Sequence, residues 1–168
     1  MKILDSSPLI LFIDRINEEK CLHLLSSNGN IPTIPKSVYN EFKEKDNDNV
    51  LDGMVSNRTL DLLEGITTSE EDEIRNLRPG LGNGEVNVLA WALHLQKQGK
   101  DICCILDDGE ARKFCQELGL PLKGSMGLIK LLKEERLLSK SEIEKIIDKI
   151  KESNFRVDEK ILRWILSD

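Results

Sequence analysis

Five carboxylates sit where their type and spacing allow chemistry. Asp5 and the pair Asp107 and Asp108 each close a short apolar run, while Glu41 and Glu85 fall in amphipathic stretches that read as helices. If the apolar runs are parallel strands, their C-terminal ends open on one crevice of a sheet, and the two helices border it. Four or five acids gathered there with no evident Lys or Arg partner repel, raise their pKa values and strain the ion-free fold. A hard divalent cation removes that penalty. Ligation by oxygen alone selects Mg²⁺ or Mn²⁺, which can bind a phosphodiester, polarise it and activate a water for attack. Taken singly, each acid is more simply a helix cap or a solvated charge; the joint pattern carries the reading. Histidine chemistry lacks its raw material, because the chain holds only His23 and His94, both inside apolar helical patterns.

The elements that must position these acids are legible from caps and periodicity. Met1 to Leu4 predicts a strand ending at Asp5, and Ser6, Ser7 and Pro8 start a helix that runs to about Ile16. A second apolar helical patch covers Cys21 to Leu25, a turn Ser26 to Asn30, and a brief strand Ile31 to Ile34. Pro35 then opens a helix on which Val38 and Phe42 share a face, with Glu41 beside them. Residues 43 to 52 are polar and charged, Asn57 to Leu63 is expected to be helical, and Ser69 to Asp72 is acidic.

After a loop with Pro79, Gly80, Gly82 and Gly84, Glu85 begins a strong helix with apolar residues at a 3.6-residue period. Ile102 to Leu106 reads as a central parallel strand buried on both faces, Ala111 to Leu118 as a helix closed by Gly119, and Leu122 to Gly124 as a last short strand. Three helices remain: Ser125 to Leu138, Ser141 to Ser153 with a Ser-x-x-Glu capping box, and Asp158 to Leu166. This alternation predicts an α/β fold, a three-layer α/β/α arrangement on a small parallel sheet, followed by C-terminal helices.

Composition agrees. With 168 residues, 39% apolar and 32% charged, the chain is long enough for a real core and too patterned for wholesale disorder, so one globular domain is expected. A formal charge of −6 argues against coating nucleic acid by bulk electrostatics, although bound cations can reverse the sign locally. The imbalance is uneven: residues 1–122 carry 13 Lys and Arg against 21 Asp and Glu, and residues 123–168 carry 11 against 9. The early apolar run Pro8 to Ile13 is cut by Asp14 and preceded by Asp5, which does not suit a signal peptide or a membrane span; a cytoplasmic location is expected. Cys21, Cys103, Cys104 and Cys115 have no zinc-type spacing and read as reduced, mostly buried thiols.

Five segments in order resemble the PIN-domain nucleases, specifically a prokaryotic toxin-like branch with a helical C-terminal extension. They are Asp5-Ser-Ser-Pro-Leu-Ile10, Ile34-Pro-Lys-Ser-Val-Tyr-Asn-Glu41-Phe42, Leu81-Gly-Asn-Gly-Glu85, Ile105-Leu-Asp107-Asp108-Gly-Glu-Ala111-Arg112 and Leu118-Gly-Leu-Pro-Leu-Lys-Gly-Ser-Met-Gly127. The resemblance spans almost the full length and implies one PIN-like domain over residues 1–168, with a core of 1–125 and a helical extension of 126–168. It also implies a Mg²⁺- or Mn²⁺-dependent ribonuclease, often the toxin of a toxin–antitoxin pair and often a homodimer. Position by position, Asp5, Glu41, Glu85 and one of Asp107 or Asp108 fall on the family's acidic positions. Glu85 stands where many members carry Asp, and its longer arm still reaches a metal. On this reading Asp5, Glu85 and Asp108 ligate the ion, while Asp107 is a hydrogen-bonding partner or, in place of Asp108, the direct ligand.

Other readings compete for particular residues. The Gly80 to Gly84 loop lacks both a preceding strand and a Gly-Lys-Ser/Thr, so it is not a phosphate loop. Ser6, Ser7 and Ser125 fit backbone caps better than phosphate contacts, and Arg112 suits a phosphate contact and a helix anchor equally. Trp91 and Trp164 lie on apolar helical faces that favour core or interface packing, and Trp164 is the candidate anchor of a homodimer or of an inhibitory partner. Lys130, Lys133 and Lys140 read as a solvated helix face or as an RNA backbone track. A second function class stays open: an interaction or RNA-binding module on the same fold, with little turnover.

Overall fold

Short apolar runs punctuated by helix starts build a sheet whose C-terminal edge is crowded with helix N-termini. The structure, a computed structural model, describes residues 1–27, 31–44 and 49–167. Strand β1 (Lys2–Leu4) leads into α1 (Ser6–Leu9), which continues as a π-helical stretch over Ile10–Arg15, and then α2 (Lys20–Ser26). Strand β2 (Thr33–Pro35) feeds α3 (Lys36–Lys43) and α4 (Val50–Ser56); β3 (Asp61–Leu63) feeds α5 (Thr68–Leu77) and α6 (Asn83–Lys97). Strand β4 (Cys103–Ile105) is followed by α7 (Gly109–Glu117), and β5 (Leu122–Lys123) by α8 (Ser125–Glu134), α9 (Lys140–Glu152) and α10 (Glu159–Leu166).

The five strands are all parallel, in the order β3-β2-β1-β4-β5, which makes the expected three-layer α/β/α fold. The chain builds outward from β1 in one direction and then in the other, so the topological switch lies between β1 and β4. There Leu4 pairs with Ile105, and Asp5 N–H extends the ladder to Ile105 O at 3.2 Å. Ligands bind at such a switch, beyond the carboxyl ends of the strands. Helix α6 packs across β1, β2 and β4, and its Val86, Val88, Leu89 and Ala92 are fully buried. The C-terminal apolar residues are mostly core as well, with Leu128, Leu132, Ile143, Ile146, Ile147, Ile150 and Ile165 at or near zero exposure. Ion pairs from Lys149 to Glu18 (2.6 Å) and from Lys20 to Glu142 (3.1 Å) tie α9 to the region around α2.

One expected element differs. Asn57 to Leu63 is not a helix: α4 stops at Ser56, Arg58 takes a φ of 60°, and Asp61 N–H reaches Pro32 O at 2.9 Å to begin β3 beside β2. A three-residue edge strand with an exposed Asp61 has too little alternation to announce itself. The capping box of α9 is built by Ser139 and Glu142, so that helix starts one residue before Ser141. The last part of the Ser26 to Asn30 turn (28–30), and residues 45–48 of the polar stretch, lie outside the described residues. The four cysteines are free, with Cys21, Cys104 and Cys115 buried; burial pushes the Cys21 thiol up to about 12.

Candidate active site

Two of the acids, Asp5 and Glu41, close on Gly84, and a third lines the same cleft. A Cβ at that position would lie 2.6 Å from Asp5 Oδ1 and 3.4 Å from Glu41 Oε2, and Glu85 is the next residue. Asp5 arrives on the end of β1, Glu41 on α3 and Glu85 on the first turn of α6. They line a cleft of about 560 Å³ together with Ser6, Ser37, Asn40, Glu44 and Asn83. Among the described residues its lining holds four acids and no Lys, Arg or His.

Electrostatics follow from that lining. Burial pushes the Asp5 carboxyl from 3.8 up to about 6; the adjacent Ser6 N–H pulls it back in part, and Glu85, Glu41 and Asp107 push it further up. Glu85 is raised by burial too, with Asp108 and Glu41 adding to the effect, while its Oε2 accepts the Gly82 N–H at 2.8 Å. Helices α3, α7 and α8 begin at the same sheet edge, and their N-terminal partial positive charge offsets some of the repulsion.

The remaining expected residues flank the cleft. Asp107 sits between strand and helix, accepting the Ser125 N–H at 2.8 Å on one oxygen and the Ser125 hydroxyl on the other. Ser125 itself is fully buried, so its hydroxyl serves Asp107. Asp108 is the N-cap of α7, accepting from Glu110 N (2.9 Å) and Ala111 N (3.0 Å) on Oδ1. Arg112 donates through Nη1 to Leu106 O at 2.8 Å, which anchors α7 to the end of β4. Ser6 lines the cleft. Lys130 and Lys133 are turned away from it: Lys130 donates to Trp164 O and Ser167 O, and Lys133 to Ile165 O, Leu166 O and Ser167 O.

Sequence reasoning missed Ser37, Asn40, Glu44 and Asn83 as cleft residues. Ser37, Asn40, Glu41 and Glu44 follow a helical i, i+3, i+4, i+7 spacing, so a polar stripe on α3 was the available signal. Ser37 Oγ is buried with no hydrogen-bond partner, an orphan beside the acids.

The donor set suits a hard divalent ion: among the described lining residues it offers carboxylate oxygens, a hydroxyl and amides with no soft ligand, and the cation Arg75 reaches the rim by donating to Asn83 Oδ1 at 2.8 Å. Among the described residues no three Asp, Glu, His or Cys side chains stand close enough to enclose an ion as they are, so ligation would require side chains of the cleft to move.

Acids thus stand at the C-terminal edge of a small parallel sheet flanked by helices. The chain matches the PIN-domain family over residues 1–168 and belongs to that family. PIN domains are generally nucleases that use divalent metals. Comparison with curated proteins gives no match. Among the described residues no helix is long and apolar enough to cross a membrane.

Proposed function

We propose that the protein is a Mg²⁺- or Mn²⁺-dependent endoribonuclease acting at this cleft. The observation that carries the reading is the cleft that Asp5, Glu41 and Glu85 line with no cationic side chain among its described lining residues, where burial, helped by the neighbouring acids, leaves Asp5 holding its proton up to about pH 6. Asp5, Glu41 and Glu85 would hold the ion, with Asp108 bordering the Glu85 side and Asp107 the Asp5 side. When bound, the ion supplies Lewis-acid polarisation of a phosphodiester and lowers the pKa of a water. The chain's own groups do the rest. Asn40 and Asn83 offer neutral donors to phosphate oxygens, Ser125 keeps Asp107 in one orientation, and a cleft carboxylate takes the proton of the attacking water.

The test is cleavage of single-stranded RNA in Mn²⁺, stopped by EDTA and by Asp5→Asn. A second reading, a PIN-fold interaction or RNA-binding module with little turnover, is supported by how many acids already have partners: Glu85 on Gly82, Asp107 on Ser125, Asp108 on α7. RNA binding without cleavage in any divalent ion would select it. The toxin role, a small inhibitory partner and a homodimer belong to the same proposal; a protein that co-purifies and blocks cleavage, and the mass in light scattering, check them.

A further inference from the structure

A second groove, of about 520 Å³, starts at Asp107 and runs along β5 and the start of α8 to the connector before α10. It combines three cationic side chains, Arg112, Lys123 and Arg156, with two aromatic ones, Phe155 and Trp164. Trp164 is 48% exposed, a large apolar surface for a residue so close to the core, and Lys130 Nζ lies 5.5 Å from its ring centroid. The stem of Lys123 runs against Gly127, where a Cβ would lie 3.3 Å from Lys123 Cβ, so the missing side chain makes room for that lysine. The groove's second acid, Asp158, is the N-cap of α10 and accepts from Lys160 N at 2.8 Å. Cations and aromatics on the sheet edge beside an acidic cleft match the two needs of a single strand of nucleic acid, a charged track for phosphates and flat faces for bases. Of Lys130, Lys133 and Lys140, read from the sequence as a solvated helix face or an RNA track, Lys130 and Lys133 hold the end of α10.

Resting on the nuclease reading of the cleft, we infer that this groove is a nucleotide subsite for the single-stranded RNA next to the scissile phosphate. Arg112, Lys123 and Arg156 contact the backbone and a base stacks on Trp164. Its occupant is RNA rather than a second protein chain, because three cations line the groove and it begins at Asp107, two residues past Ile105, which pairs with Leu4 at the β1 end that carries Asp5.

The experiment uses the full chain carrying Asp5→Asn, so that RNA is bound without being cut, and a fluorescein-labelled single-stranded oligoribonucleotide read by anisotropy. Trp164→Ala should weaken binding by at least about fivefold, the low end of one base–aromatic stack, while Trp164→Phe keeps most of the affinity. The RNA should quench the wild-type tryptophan emission, and Trp164→Phe should remove that quench because the other tryptophan, Trp91, is buried. Arg156→Gln, at an exposed position, should flatten the salt dependence by about 0.7 in slope. Unchanged affinity in both Trp164→Ala and Arg156→Gln overturns the subsite. So does a dimer that Trp164→Ala dissolves without changing RNA affinity, which would make the groove a protein interface. The two readings fail separately: RNA held in the groove but never cut by the native chain removes the nuclease reading alone, whereas cleavage with groove variants binding normally removes the subsite alone.

Discussion

Asp5 carries the largest electrostatic strain in the cleft, and its sign can be worked out. Burial raises its carboxyl above the ordinary value, to about 6, so the folded chain holds that proton more tightly than the unfolded chain does. The resulting contribution to stability is fully present below about pH 4, declines as pH rises to about 6 and is absent above it. Over that window the ion-free protein should lose about 3 kcal/mol. Glu70 and Glu142 act in the opposite direction. Hydrogen bonds within their capping boxes hold both at about 2, so their stabilisation is lost only as pH falls from about 4 to about 2. Asp5→Asn should therefore stabilise the ion-free protein at pH 8, leave it nearly unchanged at pH 4 and abolish cleavage; denaturant melts at the two pH values check this, and a variant destabilised at both would make Asp5 a structural cap. Gly84 gives a second prediction. Gly84→Ala places a methyl 2.6 Å from Asp5 Oδ1, so it should displace that carboxylate and blunt the response to Mn²⁺, whereas Gly53→Ala, with nothing within 4 Å, should stabilise α4 by about 0.5–1 kcal/mol. Thermal melts of both variants with and without Mn²⁺ decide, and matching behaviour would remove the crowding argument.

At the scale of elements, α10 shows how a short helix is held. Its last carbonyls have no partners within the helix, and Lys130 and Lys133 reach across from α8 to supply donors at 2.6 to 3.2 Å. Lys130 is almost fully buried in doing so. Lys130→Met keeps the stem and removes the ammonium; it should cost about 1.5–3 kcal/mol and loosen α10 first, seen as faster amide exchange there. Uniform exchange across the chain would mean that the lysine only packs. Neither role was visible in the sequence, where these lysines look like a solvated face, because their partners lie more than thirty residues downstream. Strand β3 was hidden for a related reason: it exists because Pro32 and Thr33 offer it a ladder, and three residues at a sheet edge carry no pattern of their own. By contrast β4 and α6 were legible, since a continuous apolar run and a 3.6-residue period are properties of the segment itself.

For the whole molecule, folding and ion binding should be linked. An ion that binds only the native cleft stabilises it by about 2.7 kcal/mol at a hundredfold excess over Kd, so millimolar Mn²⁺ should raise Tm, most clearly above pH 6 where Asp5 has lost its proton. An unmoved Tm together with a silent titration calorimeter would remove the metal reading. The C-terminal helices belong to the same core: Leu128, Ile129 and Leu132 of α8 are fully buried, so a chain ended before Ser125 should not fold cooperatively, as circular dichroism would show.

The sequence alone determined the alternation of strands and helices, the acids at the ends of β1 and β4, and the apolar faces of α8 and α9, because each follows from local periodicity or from a residue's place at the end of an apolar run. Tertiary structure alone decided which acids meet. Asp5, Glu41 and Glu85 share a cleft because α3 and α6 pack on each other and α6 on β1, and because Gly84 has no side chain to hold Asp5 and Glu41 away. It also turned Asp107 to Ser125 and Asp108 to α7, left Ser37 Oγ without a partner, and drew Lys130 and Lys133 to the end of α10. Most of these depend on distances between residues far apart in the chain, and the Asp108 cap and the unpartnered Ser37 depend on side-chain surroundings that spacing does not encode.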